Sequence, residues 1–213
     1  MLKKTIRLLF WLLFFACFTY FLIPKFKYFS DGIPEYMGKT AFIDRMWFVL
    51  HISAGVLVYI TGLFQFLPSF RNRHLSTHRK LGKVFIFSSL LCILALYFII
   101  PVNLCTSCRT SQYMDTTLWL IFISFAFYFI KKRKIILHQR FMVSSFICAS
   151  YFVTVRLIDR FVMGFFNGVT KNESDAFLYS DIAAWLVPLI IVWSFWGITD
   201  FNKKGLTYNY NSS

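Results

Sequence analysis

The residues best able to do chemistry in this 213-residue chain are four histidines, five cysteines and a few charged side chains in or beside long apolar runs. His51 and Arg156 both fall within such runs. An ionisable side chain in hydrocarbon costs a few kcal/mol or more, so residues placed there are commonly functional. The structural alternative is that both residues only hold helices together, through hydrogen bonds and an ion pair.

Helical spacing places His51 in a stripe of small and polar residues at intervals of three and four. The stripe consists of His51, Gly55, Val58, Gly62 and Gln65. Small residues let a neighbouring helix come close, and the amide of Gln65 needs a partner there. The stripe therefore predicts a helix face turned towards the other helices.

Arg156 shares a helix face with Asp159 and Arg160, so an acid one turn away offsets its charge. It follows His138 by 18 residues, about 27 Å of helix, which predicts the same depth as His51 in the outer half of the membrane. We expect a small cavity here, in which guanidinium and imidazole bind a polar or anionic head group. Its ligand-binding candidates are His51, Gln65, Arg156 and Asp159.

A second group of candidates lies at the inner membrane surface, beside the starts of two apolar runs. It consists of His78, Arg79, His138 and Arg140. A histidine and an arginine at a helix start could hold an anion or a quinone carbonyl. The alternative is that these are ordinary solvated residues.

The third feature is Cys105-Thr-Ser-Cys108 in a loop predicted to lie outside the membrane. That compartment permits disulfides, and C-x-x-C spacing is used by thiol oxidoreductases. Membrane quinone-linked thiol oxidases carry a second cysteine pair, which the outer segments of this chain lack. A local disulfide or two free thiols are the other interpretations.

The elements that position these residues are transmembrane helices, because 58% hydrophobic and 21% aromatic residues with a mean hydropathy of +0.61 exclude an ordinary soluble domain. Apolar runs near the ~20 residues that cross a bilayer predict an all-α, polytopic bundle of about six spans. The whole chain, 1–213, is interpreted as one membrane domain. The predicted spans cover residues 6–23, 46–67, 84–100, 116–130, 138–165 and 182–198.

Orientation follows from 23 Lys and Arg residues against 9 Asp and Glu residues. With both termini in the cytoplasm, most basic residues lie on the cytoplasmic side, as the positive-inside bias requires. The expected partners are therefore the lipid bilayer and anionic phospholipid at the cytoplasmic face. The same explanation excludes nucleic acid as the reason for the basic clusters.

Four histidines also permit a haem b-type electron-transfer protein similar to ferric reductases. Two imidazoles must both lie about 2 Å from the iron, so His51 cannot share it with the inner histidines. His78 and His138 are the weak alternative haem ligands, and the cofactor is otherwise unknown. A carrier, an oligomer or an accessory subunit of a larger complex is the non-enzymatic alternative.

The order and spacing of several short motifs resemble a known family. They are His51, Gly62-Leu-Phe-Gln65-Phe66, Arg73, His78-Arg79, Gly82, His138-Gln-Arg140-Phe-Met142 and Arg156. Over residues 45 to 200 the chain resembles the uncharacterised bacterial membrane proteins of domain of unknown function 2306. The resemblance implies a polytopic protein of the bacterial inner membrane and brings no established reaction. It implies that His51, Gln65, His78, Arg79, His138, Arg140 and Arg156 are motif positions.

Overall fold

The computed structural model describes residues 42–211 and, before them, residues 5, 9, 12–13, 15–17, 19–20 and 22–30. This described part is 91% helix and contains no strand, which confirms the all-α class. Short 3₁₀ helices cover Ile23–Phe29 and Ile100–Val102. The α-helices are α1 (Phe42–Gln65), α2 (Pro68–Arg73), α3 (Leu75–Ile99), α4 (Thr106–Lys131), α5 (Ile135–Ala149), α6 (Tyr151–Phe161), α7 (Met163–Val169) and α8 (Glu173–Asn211).

Four helical segments are long and apolar enough to cross a membrane, and the bent pair α5 and α6 makes a fifth if it is counted as one span. The four are Phe42–Gln65, Leu75–Val102, Thr106–Lys131 and Glu173–Asp200. Most of the first predicted span, residues 6–23, lies outside the described residues. The described chain is therefore a multi-pass helical bundle with four or five of the expected spans.

The structure differs from the predicted continuous helix over residues 138–165. That segment breaks at Ser150 into α5 and α6, which meet at an angle of 50°. The Ser150 hydroxyl donates to the Phe146 carbonyl at 2.7 Å. A serine bonding back by four residues competes with the regular helix and commonly bends it.

The helices also begin earlier than the hydropathy of the apolar runs indicates. α4 starts at Thr106 rather than 116, and α8 starts at Glu173 rather than 182. Asp115 and Asp181, which directly precede the predicted spans, therefore lie inside helices.

The bundle is built from two helical hairpins. α1 packs along α3, and α4 packs along α5, while contacts of α3 with α4 and of α1 with α5 join the hairpins. α8 packs against α4, α5 and α6. The interior is filled by large side chains with almost no exposure, among them Tyr59, Phe85, Ile123 and Trp185.

At Gly62 the first hairpin lies close to the second. A Cβ atom at this position would lie 2.5 Å from Cε2 of Phe146 on α5. The predicted small-residue stripe thus meets an aromatic ring at Gly62, whereas a Cβ at Gly55 would have nothing within 4 Å.

Three basic segments come together at one end of the bundle, which we call the basic end. It is defined by Arg71, Arg79, Lys131–Lys134 and Arg140. The contacts of Gln65 with His78, of His138 with Ala126 and of Arg140 with Asp200 join the helix ends there.

Candidate functional site

Gln65 and His78 are brought together at the basic end, although sequence reasoning placed them in different groups. The Gln65 side-chain amide donates to the His78 carbonyl at 2.9 Å, which ties the end of α1 to the first turns of α3. Gly82 makes room for this contact, because its Cβ position lies 3.4 Å from Oε1 of Gln65. Gln65 therefore fixes the backbone of His78 relative to the end of α1.

The His78 side chain is half-buried, while His74 and Arg79 on the same surface are exposed. Its Nδ1 atom is buried and has no hydrogen-bond partner in the described part of the chain. The side chains of Arg71, Arg79 and His138 lie within electrostatic range of it. A buried polar atom without a partner is uncommon and calls for a structural or functional explanation.

His138 lies in the first turns of α5 and reaches across to α4. Its Nδ1 lies 2.8 Å from the Ala126 carbonyl. A carbonyl only accepts, so in neutral His138 this nitrogen carries the proton and Nε2 keeps its lone pair. The hydrogen bond leaves His138 with one ring nitrogen able to accept a proton or bind a metal.

Arg140 is already paired. Its guanidinium makes two hydrogen bonds of 2.8 Å to the carboxylate of Asp200 on α8 and lies 5.4 Å from the Trp196 ring centre. Its charge is thus largely compensated within the protein. Of the inner candidates, His78 and His138 retain unused polar atoms.

His51 and Arg156 engage different partners. His51 Nδ1 lies 3.2 Å from Sγ of Cys92 on α3, whereas Arg156 forms a 3.7 Å ion pair with Asp159 on its own helix. No hydrogen bond or ion pair joins His51 to Arg156 in the described structure. The joint cavity predicted for these two residues stays a prediction.

Cys105 and Cys108 form a disulfide at the start of α4. Next to it, Nε of Arg109 donates to the Asn103 carbonyl at 2.8 Å. Cys92 and Cys148 are 2% and 1% exposed, so neither supplies a second accessible thiol.

The structure adds two buried acids, each of which directly precedes a predicted span. Asp115 on α4 is 3% exposed and Asp181 on α8 is 4% exposed. They lie within electrostatic range of each other, and we call them the acid pair. The Tyr151 hydroxyl at the start of α6 donates to Oδ2 of Asp181 at 2.7 Å.

Asp115 has mainly neutral surroundings. Its Oδ1 atom is buried and makes no hydrogen bond to any described residue. The Cys148 thiol and the Tyr59 and Tyr151 hydroxyls lie close enough to interact with the carboxyl group. Eleven residues, about 16 Å of helix, separate Asp115 from Ala126. The acid pair therefore lies well away from the basic end.

A signal for the acid pair was present in the sequence. Each acid directly precedes an apolar run, and each is flanked upstream by residues compatible with helix. Extending those runs by two turns would have placed both acids in the bundle. Hydropathy alone cannot do so, because it assigns charged residues to the ends of spans.

The arrangement of the described side chains gives little support for a bound metal ion. The described residues contain no group of three or more histidine, cysteine, aspartate or glutamate side chains placed to hold a metal ion. A metal at the basic end would depend on His78 and His138 alone.

Comparison of the chain with known proteins and protein families gives a match to one family. Neither the curated proteins nor the solved structures include a match to the chain. The family described as "Predicted membrane protein (DUF2306)" matches residues 48–196, which contain α2 to α7 and most of α1 and α8. This match covers more than half of the 213 residues and includes both histidines of the basic end and both members of the acid pair. The chain therefore belongs to the DUF2306 family of predicted membrane proteins.

Proposed function

We propose that this integral membrane protein binds a small, lipid-soluble ligand at the basic end, between His78 and His138. The observation that carries the proposal is the buried Nδ1 atom of His78, which has no partner among the described residues. Leaving such an atom unsatisfied costs about 1–3 kcal/mol. A ligand that reaches it recovers that energy.

Charge and geometry support a ligand that presents an oxygen acceptor. Arg71 and Arg79 lie within electrostatic range of His78, and a nearby positive potential favours an electronegative group. A quinone carbonyl and a lipid phosphate oxygen share this chemistry. Such ligands reach the site from the membrane without crossing the bundle.

A haem bound by His78 and His138 is the second candidate, favoured by the hydrogen bond from His138 to the Ala126 carbonyl. Histidines that bind metals commonly donate their other ring N–H in this way. Deeper in the bundle, however, the rings of Phe66, Phe85 and Phe146 pack together. A porphyrin would displace some of these rings, whereas a smaller head group at the surface would not. The packing therefore favours the smaller ligand.

The test uses detergent-purified protein and three histidine variants. A short-chain benzoquinone and a short-chain phosphatidylglycerol are titrated separately while tryptophan fluorescence is followed. We expect one of them to bind about tenfold more weakly to His78→Ala, because a lost hydrogen bond of ~1.4 kcal/mol changes affinity tenfold. His138→Ala should also weaken binding.

His74→Ala is the matched control, since His74 lies on the same surface and is exposed. Equal binding by His78→Ala and His74→Ala, or no binding of either compound to the wild type, would refute the proposal. An absorption spectrum is recorded first. A Soret band lost in His78→Ala and His138→Ala, and kept in His74→Ala, would replace it with the haem hypothesis.

The number of spans, their orientation and the identity of the membrane are also part of the proposal. We infer six spans forming one domain in a bacterial inner membrane, with both termini and the basic end in the cytoplasm. The clustering of basic residues at one end supports this orientation, as well as contact with anionic phospholipid there. Reporter fusions after Lys134 and after Ser107 should give opposite sides. Whether the unit is an oligomer or an accessory subunit would be read from its mass in nanodiscs.

A further inference from the structure

We propose that Asp115 and Asp181 form an intramembrane proton-binding site, in which the two carboxyl groups together hold one proton. The site is distinct from the ligand site at the basic end. It rests on the burial of both side chains, on the unpartnered Oδ1 of Asp115 and on the hydrogen bond from Tyr151 to Asp181.

Charge compensation is the first step of the argument. A carboxylate removed from water costs several kcal/mol unless it is paired, and a second one nearby adds repulsion. Asp115 has no ion pair with any described basic side chain, and the charged group that acts on it electrostatically is Asp181. The pair therefore needs a cation, and a single shared proton removes the repulsion.

The donors around the pair favour a proton over a metal ion. Hard metal ions take about six or more oxygen ligands, whereas the Tyr151 hydroxyl donates to Asp181 rather than offering a lone pair to a shared ion. No third carboxylate, histidine or cysteine completes a metal-binding group with the pair in the described chain. The unpartnered Oδ1 of Asp115 can hold the proton as a hydroxyl group.

The titratable and charged groups around the pair come from three helices, α1, α5 and α6. Asp115 is approached by Tyr59, Cys148 and Tyr151, and Asp181 by Tyr151, Asp159 and Arg156. Of these groups only Arg156 is basic, and it pairs with Asp159. The gain or loss of a proton at the acid pair is therefore not offset by another basic side chain in this group.

Asp181 is the member of the pair that interacts with less buried charged groups. Arg156 and Asp159 keep 43% and 31% of their side chains exposed and interact electrostatically with Asp181. In this proposal the proton enters beside Asp159 and Asp181 and is held on Asp115. Only O–H bonds form and break, and the proton returns to water by the same route.

The experiment is infrared difference spectroscopy of the full chain in nanodiscs, with the pH stepped upwards. The wild type should lose a C=O band of a protonated carboxyl group, and that band should move in heavy water. Asp115→Asn should abolish the band. Asp181→Asn should shift it, because Asp115 then keeps its proton beside a neutral amide.

Glu173→Gln is the matched control, since Glu173 is an exposed acid in the first turn of α8. Its spectrum should equal that of the wild type. Tyr151→Phe keeps both acids and removes one hydrogen bond, so it tests the site even if Asp115→Asn does not fold. It should shift the band.

Melting temperatures separate a proton from a metal ion. The wild type should lose stability as the pH rises and the shared proton leaves, and Asp115→Asn should lose less. An increase with sodium or magnesium chloride, but not with choline chloride at equal ionic strength, would overturn the proposal in favour of a metal. A band unchanged in Asp115→Asn, Asp181→Asn and Tyr151→Phe would also overturn it. Quinone and phospholipid binding at the basic end should be the same in all these variants.

Discussion

Gly62→Ala should destabilise the bundle, because the added methyl group has no room between the two hairpins. Its Cβ would lie 2.5 Å from Cε2 and 3.0 Å from Cδ2 of Phe146. Ordinary carbon contacts are about 3.5–4.0 Å, so the ring must move by roughly 1 Å. Phe146 is only 8% exposed and its ring packs 4.9 Å from the Phe66 ring centre, so it has little space to move.

The magnitude follows from two opposing effects. Overpacking a filled core costs about 1–3 kcal/mol, while alanine is favoured over glycine inside a helix by about 0.5–1 kcal/mol. The expected net loss is therefore roughly 1 kcal/mol and at most about 2.5 kcal/mol. Gly55→Ala has the same gain in helix propensity, and its added Cβ meets nothing within 4 Å. It should therefore be neutral or slightly stabilising.

The assay is reversible unfolding in mixed detergent micelles, with both variants measured against the wild type. The difference between Gly62→Ala and Gly55→Ala isolates the overpacking cost. In a Phe146→Leu background, which lacks the Cε2 and Cζ atoms, the cost of Gly62→Ala should shrink. Equal stabilities of the two glycine variants would show that α1 and α5 do not approach as described.

Three further substitutions test contacts between helices. Gln65→Met should cost about 0.5–1.5 kcal/mol in the same unfolding assay, because the His78 carbonyl loses its donor. Arg140→Lys should lose most of the ion pair, about 0.5–1 kcal/mol at an exposed carboxylate, since lysine cannot make both hydrogen bonds to Asp200. Ser111→Ala should cost about 1–3 kcal/mol, because it leaves the buried indole N–H of Trp185 without its acceptor.

Each of the three has its own control. Gln139→Met alters an exposed glutamine and should leave stability unchanged; a loss equal to that of Gln65→Met would argue against the hydrogen bond. The effect of Arg140→Lys should shrink at high salt, and a salt-independent loss would point to packing instead. Trp185→Phe removes the N–H together with its need for an acceptor, so Ser111→Ala should cost less in that background.

Much of the architecture followed from local sequence patterns. Apolar runs predicted the spans of α1, α3, α4 and α8. A segment in hydrocarbon must hydrogen-bond its own backbone polar groups, and a helix does so. Positive residues between the runs predicted that the basic segments share one side. The break at Ser150 was not predicted, since a serine within an apolar run has no hydropathy signal for a bend.

Sequence by itself determined that the chain is a membrane-embedded helical protein and which residues are ionisable within it. Only the tertiary structure decided their partners. It placed Gln65 beside His78 and His51 beside Cys92, and it brought Asp115 on α4 within electrostatic range of Asp181 on α8. The physical reason is that hydropathy depends on the residues within one segment. The environment of a buried charge depends on side chains that other helices bring to it.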